Sequence, residues 1–570
     1  MQVRKIMSFK KIVLAILSIA ILFLISCGER QNLRYFKGAI ATVHPLATET
    51  GMDILARGGN AIDCAVAVGF TLAVVYPQAG NIGGGGFAII YINDSSYVTT
   101  LDFREKAPIF AKQDMYLDTA GNIIENASLL GHMAVAVPGT VAGLLEMYRR
   151  FGTLPLEDLI DPAIKLADSG FAVYEILEQE LEASRDQLAQ FETTRAIFFK
   201  NGEPLRKGER LVQTDLAETL KRIRKYGRSG FYGGRTAALF EASSLEAGGI
   251  ITQTDLREYM PVWRAPIVFD FHNLRVFSMG PPSSGGILLA QIFNMMEDFD
   301  LSSGDPYNPL FVHLFTAACK RAYADRAEYL GDIDFVDIPV QELISQGYAR
   351  NRIADFDPTQ ATPSNMIDAG HAWRESESTT HFSIVDQYGN AVGITYTINA
   401  SFGAKVIVDS LGFFLNNEMD DFVAKPGEPN LYGLVGGEAN KIEPQKRPLS
   451  SMSPTLVFRG DSLLMVTGSP GGSKIITTVA LSILRYFQFD MSLAHAVNQP
   501  KYHHQHLPDI LYYEIGALEK SEASKLEEMG YTLKEISAYG NLNVVARKSP
   551  EKRWEAESDR RRRGKAATVY

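Results

Sequence analysis

A threonine stands at the junction between a polar segment and a predicted β-hairpin. Residues 358–378 are polar, show no sustained hydrophobic period and are predicted to form an exposed linker. Residues 379–386 and 391–397 have strand character, and residues 387–390 between them contain a turn glycine. Thr379 is therefore the first residue of a strand that follows a linker suited to cleavage.

Thr379 at this position could act as a nucleophile if the chain is cut before it. A threonine hydroxyl attacks poorly unless a base removes its proton, and an N-terminal threonine supplies that base as its own α-amine. An α-amino group has a pKa of ~7.7–8.0, whereas that of a lysine is ~10.4. The layout taken alone is weak evidence, since most Ser-Thr-Thr-His strings are structural.

Three further segments indicate an amino-acid-like substrate. Ser450 and Ser451 are adjacent hydroxyls ahead of a strand and can donate to a carboxylate, and residues 415–422 carry carboxylates that can bind an ammonium. The glycine-rich residues 467–473 offer consecutive backbone N–H groups for an oxyanion hole. Each segment by itself is more often a turn or a helix cap, but the combination provides for both charged ends of an amino acid.

Nucleotide-binding, nucleophile-elbow and metal-binding motifs are not present with the spacing that they require. Residues 83–86 are not a dinucleotide-binding fingerprint, and no Walker A motif occurs in the sequence. Residues 468–471 miss the GxSxG spacing of a nucleophile elbow. The histidines of residues 503–506 have no second ligand cluster nearby in the sequence, so we expect a packed or surface group and no metal site.

The elements that would position these groups indicate a mixed α/β protein. Residues 49–76 have a helical apolar pattern, residues 87–92 and 98–103 are predicted strands, and residues 140–260 are mostly helical. Strand character returns over residues 267–279, and the turn at residues 281–286 opens another helix.

Composition excludes several classes of protein. The chain has 570 residues, 46% hydrophobic and 21% charged, with a net charge of -10, which is typical of a globular protein and gives no basic footprint for nucleic acid. The arginine run at residues 560–563 is expected to be a solvated tail. Cys64 and Cys319 lie in apolar helical contexts and are expected to be buried free thiols.

The N-terminus resembles a bacterial lipoprotein leader. A basic start precedes the apolar residues 12–25, which are short for a membrane span, and Leu24-Ile25-Ser26-Cys27 resembles a lipobox. Residues 1–26 are therefore expected to be a signal peptide and Cys27 the lipidated first residue of an exported, membrane-anchored protein. A short anchor helix and ordinary signal cleavage are the alternatives.

From about residue 38 onward the sequence resembles the γ-glutamyltransferases (glutathione hydrolases) of the N-terminal-nucleophile superfamily. The matching motifs occur in order at residues 58–63, 83–86, 101–105, 281–286, 324–326, 379–381, 415–422, 446–455 and 468–472. The resemblance implies a four-layer αββα sandwich and a precursor that cleaves itself between Ser378 and Thr379. A large subunit, 27–378, and a small subunit, 379–570, would remain associated as a heterodimer.

The resemblance also implies roles for single residues. Thr379 is the nucleophile and its freed amine the base, and Thr397 orients its hydroxyl. Gly471 and Gly472 form the oxyanion hole, and Tyr432 belongs to a lid over the site. The substrate α-carboxylate is bound by Arg104, Ser450 and Ser451. The substrate α-ammonium is bound by Asn399, Glu418 and Asp421.

The activity implied by the resemblance is cleavage of γ-glutamyl amides such as glutathione. A γ-glutamyl ester on Thr379 would pass to water or to an acceptor amino acid or dipeptide, without a metal or organic cofactor. Departures from the family pattern are Lys405, Ala317 and Ser378. The competing hypotheses are another N-terminal-nucleophile amidase, such as a cephalosporin acylase or a poly-γ-glutamate hydrolase, and an inactive lipoprotein that serves as a binding module.

Overall fold

Two antiparallel sheets form the centre of the molecule in a computed structural model that describes residues 36–301, 304–367, 379–424, 437–561 and 564–570. Their strands are numbered here in chain order. The first sheet has seven strands in the spatial order β13-β1-β7-β8-β2-β3-β4: Lys565–Val569, Gly38–Thr42, Thr379–Asp386, Ala391–Thr397, Gly85–Ile92, Tyr97–Phe103 and Val262–Arg264.

The second sheet has six strands and lies face to face with the first. Its spatial order is β12-β11-β10-β9-β6-β5: Glu555–Ser558, Asn543–Ala546, Ser462–Thr467, Thr455–Arg459, Leu274–Ser278 and Ile267–Phe271. A cluster of buried apolar residues fills the space between the sheets and includes Val385, Leu456 and Val466. Short strands outside the two sheets pair locally, at Phe171–Ala172 with Arg210–Leu211, Phe199–Lys200 with Glu203–Pro204, and Tyr502–His503 with Leu511–Glu514 and Leu533–Ile536.

Helices cover the outer face of each sheet. The layer on the first sheet shares one large core and consists of α1 to α11: Pro45–Ala56, Ala61–Val75, Thr140–Phe151, Leu156–Ser169, Glu175–Ala183, Arg185–Leu188, Glu192–Phe198, Thr214–Tyr226, Ser229–Tyr232, Gly234–Glu246 and Gln253–Glu258. The layer on the second sheet consists of α12 to α18: Gly285–Met296, Pro309–Tyr329, Val340–Leu343, Gln346–Ile353, Lys474–Ile483, Leu493–Asn498 and Lys520–Glu528. The predicted four-layer αββα sandwich is therefore confirmed.

The helical pattern at residues 49–76 comprises two helices instead of one. Gly58 has a φ of 90°, which favours glycine and breaks the first helix. Asn60 then caps α2, since its side chain accepts from the N–H groups of Ile62 and Asp63 while Asp63 accepts from the Asn60 N–H. The local capping signal decides the boundary within a continuous apolar period.

The predicted hairpin at residues 379–397 lies in the middle of the first sheet. β7 and β8 pair in register, with Thr379 opposite Thr397. Asp386 closes the turn by accepting from the N–H groups of Tyr388 and Asn390, and its other oxygen accepts from the Ala61 N–H at the start of α2, 2.8 Å away. The hairpin is thus attached to the helical layer behind it.

The prediction of an exposed linker over residues 358–378 is wrong for its middle part. Residues 358–360 are exposed, but Ala361, Ser364 and Ile367 are buried. The Ser364 N–H donates to Asp509 at 2.7 Å and its hydroxyl donates to the His506 carbonyl at 2.6 Å. A docked turn satisfies the backbone here, and residues 368–378 lie outside the described residues.

The arginine run is also more structured than its composition indicates. Arg560 is exposed and pairs with Glu557, but Arg561 forms ion pairs with the buried Glu514 and Asp559. The expectation of a solvated tail is therefore wrong for Arg561. Cys64 and Cys319 are buried free thiols, as predicted.

The histidines of residues 503–506 are packed in the interior, as predicted. Among the described ranges, no group of three or more His, Cys, Asp or Glu side chains is arranged to hold a metal ion. No helix in the described part of the chain is long and apolar enough to cross a membrane.

Candidate active site

Thr379 begins β7, and its side chain points toward the second sheet. Side chains alternate along a strand, so Thr379, His381 and Ser383 share one face. The Ser383 hydroxyl on this face donates to the Asn543 carbonyl of β11 at 2.8 Å. The Thr379 hydroxyl donates to that of Thr397 at 3.4 Å, and Thr379 is only 7% exposed. The two residues predicted as the nucleophile and its orienting partner thus lie side by side, at the start of β7 and the end of β8.

Asn399 continues from β8 into the floor of the same site. Its N–H donates to the Thr397 hydroxyl at 2.9 Å, and its side-chain amide donates to the Asn417 carbonyl at 3.0 Å. The neighbouring Asn416 accepts from the Glu418 N–H at 3.0 Å and donates to the Gly83 carbonyl at 2.8 Å. These amides join the end of the hairpin to the turn at Glu418–Asp421.

Arg104 follows the end of β3 and reaches that turn with its guanidinium. Its backbone N–H donates to Asp102 at 2.9 Å, and its Nη groups form ion pairs with Glu418 and Asp421. Nε donates to the Pro448 carbonyl at 3.2 Å and Nη2 to the Leu449 carbonyl at 3.3 Å. A contact of 3.5 Å from Nη1 to Glu105 engages the last of its five N–H donors.

The turn and its surroundings place three carboxyl groups around one guanidinium. Glu105, Glu418 and Asp421 surround the single guanidinium of Arg104, and all four side chains are buried. Each carboxylate has one buried oxygen, Oε1, Oε2 and Oδ1 respectively, without a hydrogen-bond partner in the described residues. Buried, unpartnered acceptors of this kind favour a cationic ligand group such as an ammonium.

The pKa values in this cluster reflect burial opposed by ion pairing. Burial raises the pKa of Glu105 to about 7 and that of Glu418 well above its usual range, while Arg104 acts in the opposite direction on both. Burial also disfavours the charged guanidinium, but the carboxylates of Glu418, Asp421 and Glu105 outweigh it and raise the Arg104 pKa. The charge of the site is therefore sensitive to what binds there.

The predicted hydroxyl pair lies beside the Arg104 carbonyl contacts. Ser450 and Ser451 are buried, and their hydroxyl oxygens accept from the Met452 N–H at 3.2 Å and from the Arg326 guanidinium at 3.2 Å. No acceptor for either hydroxyl proton lies among the described residues, so both hydroxyls can donate to a ligand carboxylate.

The glycine loop predicted to form the oxyanion hole lies between β10 and α16. Gly471 and Gly472 have φ values of 131° and 57°, and their carbonyls accept from the N–H groups of Lys474 and Ile475 as α16 begins. Within the described chain, neither glycine N–H donates to another protein group. Two N–H groups at a helix N-terminus favour a developing negative charge.

Comparison with known proteins places the chain in a family. The model of the family described as Gamma-glutamyltranspeptidase matches residues 47–569. The chain belongs to the gamma-glutamyltranspeptidase family. The glutathione hydrolase proenzyme of Escherichia coli (strain K12) is 47% identical over 498 residues, which cover 86% of this chain and 86% of the relative.

Two solved structures agree with this gamma-glutamyltranspeptidase assignment. That of Helicobacter pylori gamma-glutamyltranspeptidase, 45% identical, has a TM-score of 0.57 and covers 57% of this chain and 94% of that chain. That of cephalosporin acylase from Bacillus halodurans, 24% identical, has a TM-score of 0.83, covers 95% of this chain and 97% of that chain, and shows the shared fold alone. The predicted family, fold and class of enzyme are confirmed.

Some predicted residues of this gamma-glutamyltranspeptidase lie outside the described residues, namely Cys27, Ser378 and Tyr432. Conversely, the sequence analysis missed Glu105, although its motif at residues 101–105 was among those that matched the family. Asp420 belongs to the carboxylate segment predicted at residues 415–422, and it is a buried carboxylate that accepts from the Ser128 hydroxyl at 2.6 Å and whose pKa burial raises to about 7. Its neighbour Asp421 pairs with Arg104 instead, a division that depends on tertiary packing.

Proposed function

We propose that this chain is a self-processing γ-glutamyltransferase and glutathione hydrolase. Cleavage before Thr379 would give a large subunit, 27–378, and a small subunit, 379–570, that stay together as a heterodimer. The observation that supports this most directly is the Thr379 hydroxyl, which lies 3.4 Å from that of Thr397 at the start of a central strand. Two bacterial relatives that match most of the chain carry the word proenzyme in their names.

The proposed reaction begins at the Thr379 hydroxyl. Its proton passes to the freed α-amine as the oxygen attacks the γ-carbonyl of a γ-glutamyl amide. The N–H groups of Gly471 and Gly472 hold the oxyanion, and collapse expels the amine after it takes the proton. Water or an acceptor amino acid or dipeptide then attacks the γ-glutamyl ester and regenerates the Thr379 hydroxyl.

The substrate amino-acid group would bind at the Arg104 cluster. The α-ammonium fits the unpartnered oxygens of Glu418 and Asp421, with Asn399 beside them. The α-carboxylate accepts hydrogen bonds from the hydroxyls of Ser450 and Ser451 and competes for the guanidinium of Arg104, whose N–H donors are engaged by protein acceptors. Tyr432 would close over the bound group as part of a lid.

The experiment that tests processing compares wild type with Thr379→Ala by intact mass and N-terminal sequencing. We expect two wild-type fragments, the smaller beginning at Thr379, and one uncut chain for the variant. An uncut wild-type chain would contradict the proposal, because the α-amine base would never form. Cleavage of the variant at the same bond would show that Thr379 is not the nucleophile.

A paired substrate assay separates this function from that of an amidase whose acyl group carries a carboxylate but no α-ammonium, such as a cephalosporin acylase. A γ-glutamyl anilide and the matching glutaryl anilide differ only in the α-ammonium. Without that ammonium, Oε2 of Glu418 and Oδ1 of Asp421 stay without a partner, so we expect the glutaryl compound to react at least ~100-fold more slowly. Equal rates would favour the amidase.

We further propose that the protein is exported and lipid-anchored at Cys27, because residues 24–27 resemble a lipobox. Wild type should partition with detergent and carry a diacylglycerol mass on its N-terminal peptide. Cys27→Ser should lose both properties while keeping self-cleavage. A wild-type N-terminal peptide without lipid would refute the anchor.

A further inference from the structure

We propose that His381 is a positioning residue that sets the distance between the Thr379 strand and the oxyanion loop at Gly471 and Gly472. The inference rests on the proposed function, since it concerns how the same nucleophile and the same loop are held together. His381 lies two residues after Thr379 on the same face of β7, and its side chain is fully buried between the two sheets.

The ring of His381 lies directly against the backbone of Gly468. A methyl group on the Gly468 α-carbon would be 2.4 Å from both Cε1 and Nδ1 of the ring, closer than any van der Waals contact. Gly468 is the residue after β10 and stands three positions before Gly471. The ring therefore acts as a spacer between the nucleophile strand in one sheet and the start of the oxyanion loop in the other.

Hydrogen bonds hold the ring in one orientation. The Ser383 hydroxyl donates to the Asn543 carbonyl, so its oxygen accepts from His381 Nε2–H at 2.9 Å. Nδ1 must then be the acceptor for the Thr395 hydroxyl at 2.8 Å. A neutral imidazole with both nitrogens engaged fits this chain of bonds.

Burial of the His381 ring favours its neutral form and argues against a role in acid–base catalysis. Burial lowers the pKa of His381 to about 3, so the ring stays uncharged wherever the α-amine of Thr379 could be a base. A ring with both nitrogens engaged by protein hydroxyls is also not free to exchange protons with a substrate. His381 is thus suited to positioning and not to acid–base catalysis.

The loop is also held by residues 541–543, where β11 begins. The Asn543 N–H donates to the Gly468 carbonyl at 3.3 Å, and the Asn541 N–H donates to the Ser469 hydroxyl at 3.0 Å. The Ser469 hydroxyl in turn donates to the Pro470 carbonyl at 2.7 Å. Gly468 is clamped between this segment and the His381 ring, so displacement of the ring shifts the loop as a unit.

The expected consequence is on the chemical step. Oxyanion donors act at about 2.7–3.1 Å, and a misplacement of about 1 Å can reduce a rate by ~100-fold. The groups proposed to bind the amino-acid end, Arg104 with Glu418 and Asp421, belong to other segments. A shift of the loop should therefore lower kcat and leave KM nearly unchanged.

The test uses three variants and one matched control, assayed with γ-glutamyl-p-nitroanilide and by the rate of self-cleavage. His381→Phe keeps a flat ring without its hydrogen bonds, and Gly468→Ala displaces the ring from the other side. Ser383→Ala removes the hydroxyl that accepts from Nε2–H and donates to the Asn543 carbonyl. His313→Phe is the control, because His313 is equally buried with both nitrogens bonded, to Tyr531 and Asp357, on α13.

We expect kcat to fall roughly 100-fold in His381→Phe and Gly468→Ala and about 10-fold in Ser383→Ala, with KM within about 2-fold of wild type. The control should keep wild-type kcat. A raised KM at wild-type kcat, an active Gly468→Ala, or an equal loss of kcat in the control would overturn the proposal.

Failure of the proposed function gives a different result. If the wild-type chain cleaves itself but does not turn over the γ-glutamyl anilide, the proposed substrate is wrong. The positioning role of His381 can still be tested in that case. Self-cleavage uses the same nucleophile, so its rate should then fall in His381→Phe and not in His313→Phe. Unchanged self-cleavage in His381→Phe would overturn the inference even in that case.

Discussion

At the scale of single residues, the electrostatics of the site depends on Arg104. Its guanidinium is shared between Glu418 and Asp421 of one turn and also contacts Glu105. A lysine ammonium is a point charge and cannot bridge two carboxylates with the fork of an arginine. Arg104 therefore both neutralises the turn and sets the geometry that the substrate meets.

We predict that Arg104→Lys lowers kcat/KM for a γ-glutamyl anilide at least ~10-fold, mainly through a raised KM. The measurement is steady-state kinetics on purified, processed enzyme. Self-cleavage should proceed in the variant, because Thr379 and the glycine loop are not touched by the change. A variant with wild-type KM would show that the fork is not required for binding.

Glu105 provides a test of pH dependence. Its folded-state pKa of about 7 lies above the usual 4.5 because of burial, opposed by Arg104. Between these two pKa values the folded protein holds the proton on Glu105 and the unfolded chain does not. The contribution of this group to the free energy of unfolding is therefore fully present below about pH 4.5 and is lost as the pH rises through about 7.

Glu105→Gln should therefore flatten the decline of the melting temperature over this window of about pH 4.5 to 7. Thermal unfolding of both proteins across the window measures it, with activity at a fixed pH reported beside it. An identical pH slope in both proteins would show that Glu105 does not bind a proton in the folded state.

At the scale of elements, the entry to β2 depends on glycine because two backbones approach closely. A methyl group on Gly84 would lie 2.0 Å from the Thr397 carbonyl oxygen. The Gly84 carbonyl also accepts from the N–H groups of Gly139 and Thr140, so this backbone has little room to move away. The contact fixes β2 against the strand that carries Thr397.

We predict that Gly84→Ala destabilises the protein by about 3 kcal/mol and impairs self-cleavage. Gly347→Ala is the matched control, since Gly347 is an exposed residue of α15 with no atom within 4 Å of an added methyl group. The control should gain up to about 1 kcal/mol from helix propensity. Comparable melting temperatures for the two variants would argue against the close approach.

At the scale of the whole molecule, a buried ionic cluster attaches the last strand of the chain. Lys501, Glu514 and Asp559 are buried, and Arg561 pairs with both carboxylates just before β13 joins the first sheet. The Glu514 carboxylate also accepts from the Tyr539 N–H at 2.8 Å. The cluster thus connects the C-terminal strand to the segment that supports the oxyanion loop.

Arg561→Met should lower stability by about 3–5 kcal/mol, because it leaves buried carboxylates without their full complement of charge. Arg560→Met, one residue earlier, removes an exposed guanidinium that pairs with Glu557 and should change stability by less than ~1 kcal/mol. Thermal unfolding of the two variants side by side measures the difference. Equal effects would mean that burial of the cluster contributes nothing.

The elements near Thr379 could be predicted because their signals are local. Alternating apolar residues and a turn glycine act within a few positions of the chain, and they correctly indicated the hairpin and the strand character of β2, β3, β5 and β6. The hydroxyl pair at Ser450 and Ser451 and the glycine loop were found for the same reason. Composition and motif order were enough for the class of fold.

Tertiary structure alone decided the contacts that define the site. Arg104 meets Glu418 and Asp421 more than 300 positions away, and His381 meets Gly468 across two sheets. Ser364 is buried where the sequence is polar, and Arg561 pairs with two buried carboxylates. Such contacts depend on how strands and helices pack, and no local pattern encodes them. Burial then changes the pKa of Glu105 and His381, so the chemistry that the sequence names is tuned only in the folded molecule.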